Sequence, residues 1–296
     1  MRVLITGASG FIGRHVLREL QHRGIDTIVV GRTCPDGADC FHHVDLLAEN
    51  DWKKIFSENE ITHFIHLAWY VEHSKFWTSP ENWRWVDATT KMVEAFCVSG
   101  GKKIIFSGTC AEYDWSSGYC REAATPLEPS TTYGVAKDVT RRIAEKICFE
   151  YGVSCVWGRI FYPFGIGERP ERLIPSLIDV FQGRREAFEI KAKAYRDLLH
   201  VSDVASAMVT LLGQDFSGAY NICSGSPVAL EDVVVELAKI LNANPDCMLD
   251  LQEKDLPTVD LLIGCNRRLL ATGWHPAVDL QQGLRDICKE RQGENE

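Results

Sequence analysis

The segment Gly7-Ala8-Ser9-Gly10-Phe11-Ile12-Gly13 constrains this chain more than any other. It follows a short apolar run over residues 2–6. It precedes residues 13–23, in which Val16, Leu17 and Leu20 fall on one helical face. A strand that turns through spaced glycines into a helix is a phosphate-binding arrangement. Gly7 permits the sharp turn, Gly10 lets the backbone approach a pyrophosphate, and Gly13 lets the helix pack against the sheet. The helix N-terminus adds free N–H groups and a partial positive charge. The expected ligand contacts are Gly7, Ser9, Gly10, Phe11, Ile12 and Gly13.

Short β-branched runs at residues 27–30, 61–67 and 103–107 alternate with helical patterns at 51–58 and 83–98. That alternation predicts an α/β fold, a doubly wound parallel sheet of Rossmann type with helices on both faces. The second half is less regular. Pro163, Gly165, Gly167 and Pro170 break the chain after a strand at 155–160. Helices are expected at 173–181, 201–212 and 230–241, with a strand at 220–223 and a frayed polar end from Arg291. The resulting division has a dinucleotide-binding domain over 1–165 with a return segment at about 196–217. A smaller, interleaved C-terminal substrate domain takes 166–195 and 218–296.

The net charge of −9 gives no electrostatic reason to expect nucleic acid or an anionic membrane as partner. An anionic substrate would need a locally basic site. No apolar run approaches a membrane span, and Gly7 arrives too early for a signal-peptide core. Eleven cysteines, with no CxxC pair, suit buried thiols in a reducing, cytoplasmic compartment and no metal site.

The end of the second strand decides which dinucleotide fits. A carboxylate there would bond the adenine ribose and repel a 2′-phosphate. The sequence reads Val29-Val30-Gly31-Arg32-Thr33, without an acid. Arg32 can form a charge-assisted contact with a 2′-phosphate, and Thr33 can add a hydroxyl. NADP(H) is therefore favoured, with NAD(H) possible and Arg32 then stacked on adenine. Arg14 is a further candidate for the phosphate. Tyr133-Gly134-Val135-Ala136-Lys137 places a phenol and an ammonium one helical turn apart. A phenol normally keeps its proton to about pH 10, and a nearby ammonium together with the positive charge of a bound nicotinamide lowers that value.

The G-x-x-G-x-x-G spacing together with YxxxK resembles the extended short-chain dehydrogenase/reductase family. The resemblance runs from Val3 to Leu284. It implies that Asp45 and Leu46 meet the adenine and that His66-Leu67-Ala68 lies beside the inner ribose, with contacts from Leu67 and Ala68. It implies catalysis by Thr109, Tyr133 and Lys137, Ser107 being the fallback for Thr109. Tyr133 and Lys137 would also contact the cofactor. Dehydrating members carry Thr-Asp-Glu where this chain has Thr109-Cys110-Ala111, so the carboxylates for 4,6-dehydration are missing, and Glu112 is expected to face elsewhere. Cys110 is one residue away from the cysteine of the C3/C5 epimerising relatives and reads as packing.

Arg159-Ile160-Phe161-Tyr162 resembles the family's RxFN, with Tyr162 in place of Asn. Arg196-Asp197 with Val201 and Asp203 resembles RDxxxVxDxA. Arg196 is the implied contact for a sugar-nucleotide diphosphate, together with Thr109 as a substrate contact. Arg169 and Arg172 are further candidates for the diphosphate, and Asp203 is expected to cap the helix after it. Asn221 and Gly225 match a structural NxxxG strand end. Glu253-Lys254-Asp255 stands where relatives often carry another arginine, and Gly273-Trp274-His275-Pro276 matches the family's ending. Trp69, Trp77, Trp83 and Trp85 suit packing or a lid over the sugar, and the resemblance implies a homodimer through the helices of Trp83 and Tyr133.

Three functions are weighed. The first is NADPH-dependent reduction of a nucleotide-linked 4-keto-(6-deoxy) sugar, with Tyr133 as general acid. The second is an NAD-dependent nucleotide-sugar 4-epimerase. The third is a non-catalytic dinucleotide-binding regulator, against which an intact Thr109, Tyr133 and Lys137 argue.

Overall fold

The computed structural model describes residues 1–213, 216–251 and 259–293. The strands, in chain order, are β1 (Arg2–Thr6), β2 (Asp26–Gly31), β3 (Phe41–His43), β4 (His63–His66), β5 (Lys103–Thr109), β6 (Tyr119–Cys120), β7 (Ser154–Ile160), β8 (Tyr162–Phe164), β9 (Tyr195–Arg196), β10 (Leu198–His200), β11 (Gly218–Ile222), β12 (Val228–Ala229) and β13 (Leu261–Gly264). The helices are α1 (Phe11–His22), α2 (Trp52–Glu58), α3 (Glu81–Val98), α4 (Thr132–Tyr151), α5 (Leu173–Phe181), α6 (Val201–Thr210), α7 (Leu230–Leu241), α8 (Asp246–Leu249), α9 (Arg267–Leu270) and α10 (Leu280–Gly293).

Seven strands form one parallel sheet in the order β11-β7-β5-β4-β1-β2-β3. Strands buried on both faces read as continuous apolar runs, and Val3, Leu4 and Ile5 of β1 are fully buried. On one face Leu4, Phe56, Phe64, Phe96, Phe106 and Trp157 pack under α2, α3 and α4. On the other, Val3, Ile5, Val16, Leu20, Val204 and Met208 pack under α1 and α6. Strand order reverses between β1 and β4, and a crevice opens beyond the carboxyl ends at such a point. The sheet matches the expected doubly wound α/β fold.

Gly7 has φ +76°, and a Cβ on it would meet the Ala68 nitrogen at 2.6 Å. A Cβ on Gly13 would meet the Gly7 carbonyl oxygen at 2.0 Å. Both glycines are thus required by close backbone approach. Helix α1 starts at Phe11, two residues before the expected start, so Phe11 and Ile12 lie in its first turn.

Two small sheets stand at the carboxyl side, β10-β8 and β12-β9-β13-β6. Helices α5, α7 and α10 cover them around Ile174, Leu177, Val233, Leu237, Leu284 and Ile287. Sheet membership cuts across the boundaries expected at 165 and 218. β6 belongs to a small sheet, paired with β13, while β11 is the edge strand of the large one. The cause is topological: α6 is a crossover that returns the chain to the large sheet beside β7. Asp203 does not cap a helix. It sits in the first turn of α6, where His200 is the cap, and its carboxylate accepts from the backbone N–H groups of Ala277 and Val278. Glu253-Lys254-Asp255 and residues 294–296 lie outside the described residues, although α10 carries the end of the chain in helix as far as Gly293.

Candidate active site

A cleft of about 890 Å³ runs across the carboxyl ends of β1, β2, β4 and β5. It is walled by the glycine loop at its centre, by Arg32, Asp45 and Leu46 at one end, and by Thr109, Tyr133, Lys137 and Arg196 at the other. Ser9, Phe11, Ile12, Leu67 and Ala68 complete the lining, so every expected contact faces one cavity. His66 does not. Its ring is buried between the Thr6 and Thr89 hydroxyls, at 2.7 and 3.0 Å, and burial brings it down to about 3, a neutral internal tie. Arg14 is outside the lining too, with its guanidinium against Gly10 and Gly167.

Tyr133 and Lys137 both belong to α4, capped by the Thr131 side chain. The Tyr133 ring is held edge-on by Phe76 and Trp77, at centroid distances of 4.9 and 5.8 Å. Its backbone N–H donates to the Trp77 carbonyl. Thr109 ends β5 and accepts from the Ala111 N–H at 3.2 Å, so its own proton is available to the phenol. Lys137 Nζ donates to the Ser107 carbonyl at 2.8 Å and lies 3.9 Å above the Trp69 ring. The Trp69 indole is itself fixed by Asn82, at 2.8 Å.

Burial dominates the protonation of this pair. It pushes the Tyr133 phenol well above its ordinary value, although the hydrogen bond with Thr109 draws it partly back. It brings the Lys137 ammonium down to about 7, against the attraction of Glu112. Desolvation exceeds a cation whose Nζ stands 6.0 Å from the phenol ring centroid and is turned to Ser107 and Trp69.

Glu112 does face away from the cleft. Its fully buried carboxylate accepts from Thr109 N–H, Trp157 Nε1 and Arg159 Nε, each at 2.8 Å. Arg159 reaches on to Tyr113, whose hydroxyl donates to Asn221. Arg159 is thereby an internal cation and not a cleft residue. Burial also pushes the Cys110 thiol up; its side chain packs with Tyr113, Cys120 and Phe161 and also lines the cleft. Arg32 is exposed, and among the described residues it has no ion-pair partner. Arg196 lies over the Tyr162 ring at 5.6 Å, while the adjacent Asp197 points inward to the N–H groups of Ser224, Gly225 and Gly264. Sequence reasoning left Phe76, His73 and Glu168 without individual roles and read Trp69 only as packing or a lid, although all four line the cleft. Nothing in their spacing signals it, because they sit on irregular loops.

The profile of the NAD dependent epimerase/dehydratase family matches residues 3–223, three quarters of the chain. The chain belongs to that family. The chain is similar to UDP-glucose 4-epimerase of Bacillus subtilis, 25% identical over an alignment of 331 positions that spans 98% of this chain and 95% of the relative. GDP-6-deoxy-D-mannose reductase of Pseudomonas aeruginosa is 27% identical over 313 residues, 98% of this chain and 96% of the relative. Among solved structures, MoeE5 in complex with UDP-glucuronic acid and NAD superposes with a TM-score of 0.88 at 26% identity, covering 99% of this chain and all of the other. As a family member the chain is an NAD(P)-dependent enzyme. Among the described residues, no helix is long and apolar enough to cross a membrane.

Proposed function

We propose that this family member reduces a nucleotide-linked 4-keto-(6-deoxy) sugar at C4 with NADPH. Arg32 carries the reading: it is exposed, without an ion-pair partner among the described residues, and lines the cleft at the end of β2 where no acid stands. The cleft fits a dinucleotide, because Arg32, Asp45 and Leu46 lie at one end, the glycine loop at the middle and Lys137 at the other. When bound, the cofactor would supply hydride to the sugar carbon.

The chain's own residues do the remainder. Thr109 donates its hydroxyl proton to hold the substrate oxygen, and Tyr133 gives its proton to the alkoxide that develops there. A phenol kept protonated by burial suits an acid better than a base. Lys137 orients the ribose, and Arg196 holds a diphosphate oxygen. The absence of Asp and Glu after Thr109, with Glu112 locked on Arg159, removes the groups needed to lose water.

The second reading is NAD-dependent 4-epimerisation. It is favoured by the relatives that are epimerases and by the NAD in the MoeE5 complex. A panel of 4-keto-6-deoxy nucleotide sugars with NADPH and NADH, followed by nicotinamide absorbance, separates the two. The reductase consumes NADPH and prefers it, and Arg32→Ala removes that preference. Turnover without added reductant on tightly held NAD⁺ would install the epimerase. We further propose a cytoplasmic homodimer through α3 and α4, which pack along one another and leave Trp83, Val98, Phe149 and Tyr151 exposed.

A further inference from the structure

The loop between β8 and α5 carries a polar group that the proposed chemistry does not use. Glu168 lines the cleft, and its side chain is only 6% exposed. One carboxylate oxygen lies 3.6 Å from Arg172 Nε. The other, Oε2, is buried without a hydrogen-bond partner. A buried acceptor left unpaired is costly, and proteins keep few of them without reason. His73, from the loop after β4, also lines the cleft and carries a second buried atom without a partner, Nδ1.

The position of Glu168 is firmly held. The Ile166 carbonyl meets His15 Nε2 at 3.0 Å, Gly167 N–H donates to Glu290 at 3.1 Å, and Glu168 N–H donates to the Gly165 carbonyl. Arg169 joins this loop to the one carrying His73 through the Val71 carbonyl. A fixed acceptor facing a cavity is a recognition group rather than a loose surface acid.

We propose that Glu168 is a specificity-determining residue whose free oxygen accepts a hydrogen bond from a hydroxyl of the bound sugar, with His73 beside it. The proposal rests on the nucleotide-sugar reading above. The charges on this wall choose a neutral hydroxyl over other groups. An ammonium would face Arg169 and Arg172, and a carboxylate would face Glu168 itself. Burial also raises the Glu168 carboxyl to about 7, against the opposing pull of Arg172 and of the Gly165 backbone.

The test is calorimetric titration of the purified chain, with nicotinamide dinucleotide present. UDP-glucose, GDP-mannose and dTDP-glucose are compared with UDP, GDP and dTDP. Glu168→Ala is expected to weaken the preferred nucleotide sugar by about 10- to 100-fold and to leave its bare nucleotide diphosphate unchanged. Glu168→Gln keeps an acceptor oxygen and is expected to recover most of the loss. With one monodeoxy form of the preferred sugar, wild type and Glu168→Ala should bind alike. Equal weakening of the sugar nucleotide and the bare diphosphate would overturn the proposal, as would no weakening at all. A loss specific to an amino sugar would overturn the hydroxyl. A wild-type chain that binds neither these sugars nor the 4-keto-6-deoxy nucleotide sugars of the panel above refutes the functional reading itself, and this shows before any variant is compared.

Discussion

At the scale of single residues, the site turns on how burial sets two protons. Tyr133→Phe keeps the ring between Phe76 and Trp77 and removes only the hydroxyl. It is expected to lower kcat by about 100- to 10,000-fold, with dinucleotide affinity unchanged by fluorescence titration. Lys137 gives a linkage prediction. Its value falls from 10.5 to about 7 on folding, so the folded state favours the neutral amine. Stability is then lost as pH falls from the unfolded value toward 7, and the loss is complete below it. Lys137→Met should therefore stabilise the fold by about 1–2 kcal/mol at pH 6, at the expense of activity. Thermal unfolding should show the gain shrinking as pH rises toward 10. A gain that grew with pH would contradict the burial argument. Roles for Tyr133 and Lys137 could be proposed from their spacing downstream of the glycine loop and of β5. Their protonation could not, because it depends on Trp69, Ser107 and Thr109 closing over them.

At the scale of elements, β5 and the turn after it do two jobs. Thr109 ends the strand facing the cleft, and three residues later Glu112 turns back beneath the sheet to Arg159. Removing one partner of a buried pair strands the other charge. Glu112→Ala should cost about 3–5 kcal/mol in denaturant unfolding. A loss below 1 kcal/mol would mean that Arg159 finds solvent, against its burial here. The strands of the large sheet other than β3 are legible because each is a largely apolar run bounded by turn residues. The strand β3 and the strands of the small sheets, two or three residues long apart from four-residue β13, carry too few side chains to show a period. Glu168 was illegible for a related reason: its meaning comes from a loop pinned by His15 and Glu290, residues far away in sequence.

At the scale of the molecule, α3 and α4 form an outer layer with apolar groups left in water, Phe149 the most at 79% exposed. Sedimentation equilibrium should report a dimer, and Phe149→Glu together with Trp83→Glu should shift it toward monomer. A monomeric wild type would leave those side chains unexplained. The pairing of β6 with β13 carries a different consequence. Tyr119–Cys120 leaves the ribosome well before Leu261–Gly264. The large sheet can assemble on the nascent chain, yet Tyr119 and Cys120 must wait as a bare edge for more than a hundred residues. A stalled or shortened product can thus hold the parallel sheet and the crevice at its switch point while the small sheets stay unformed.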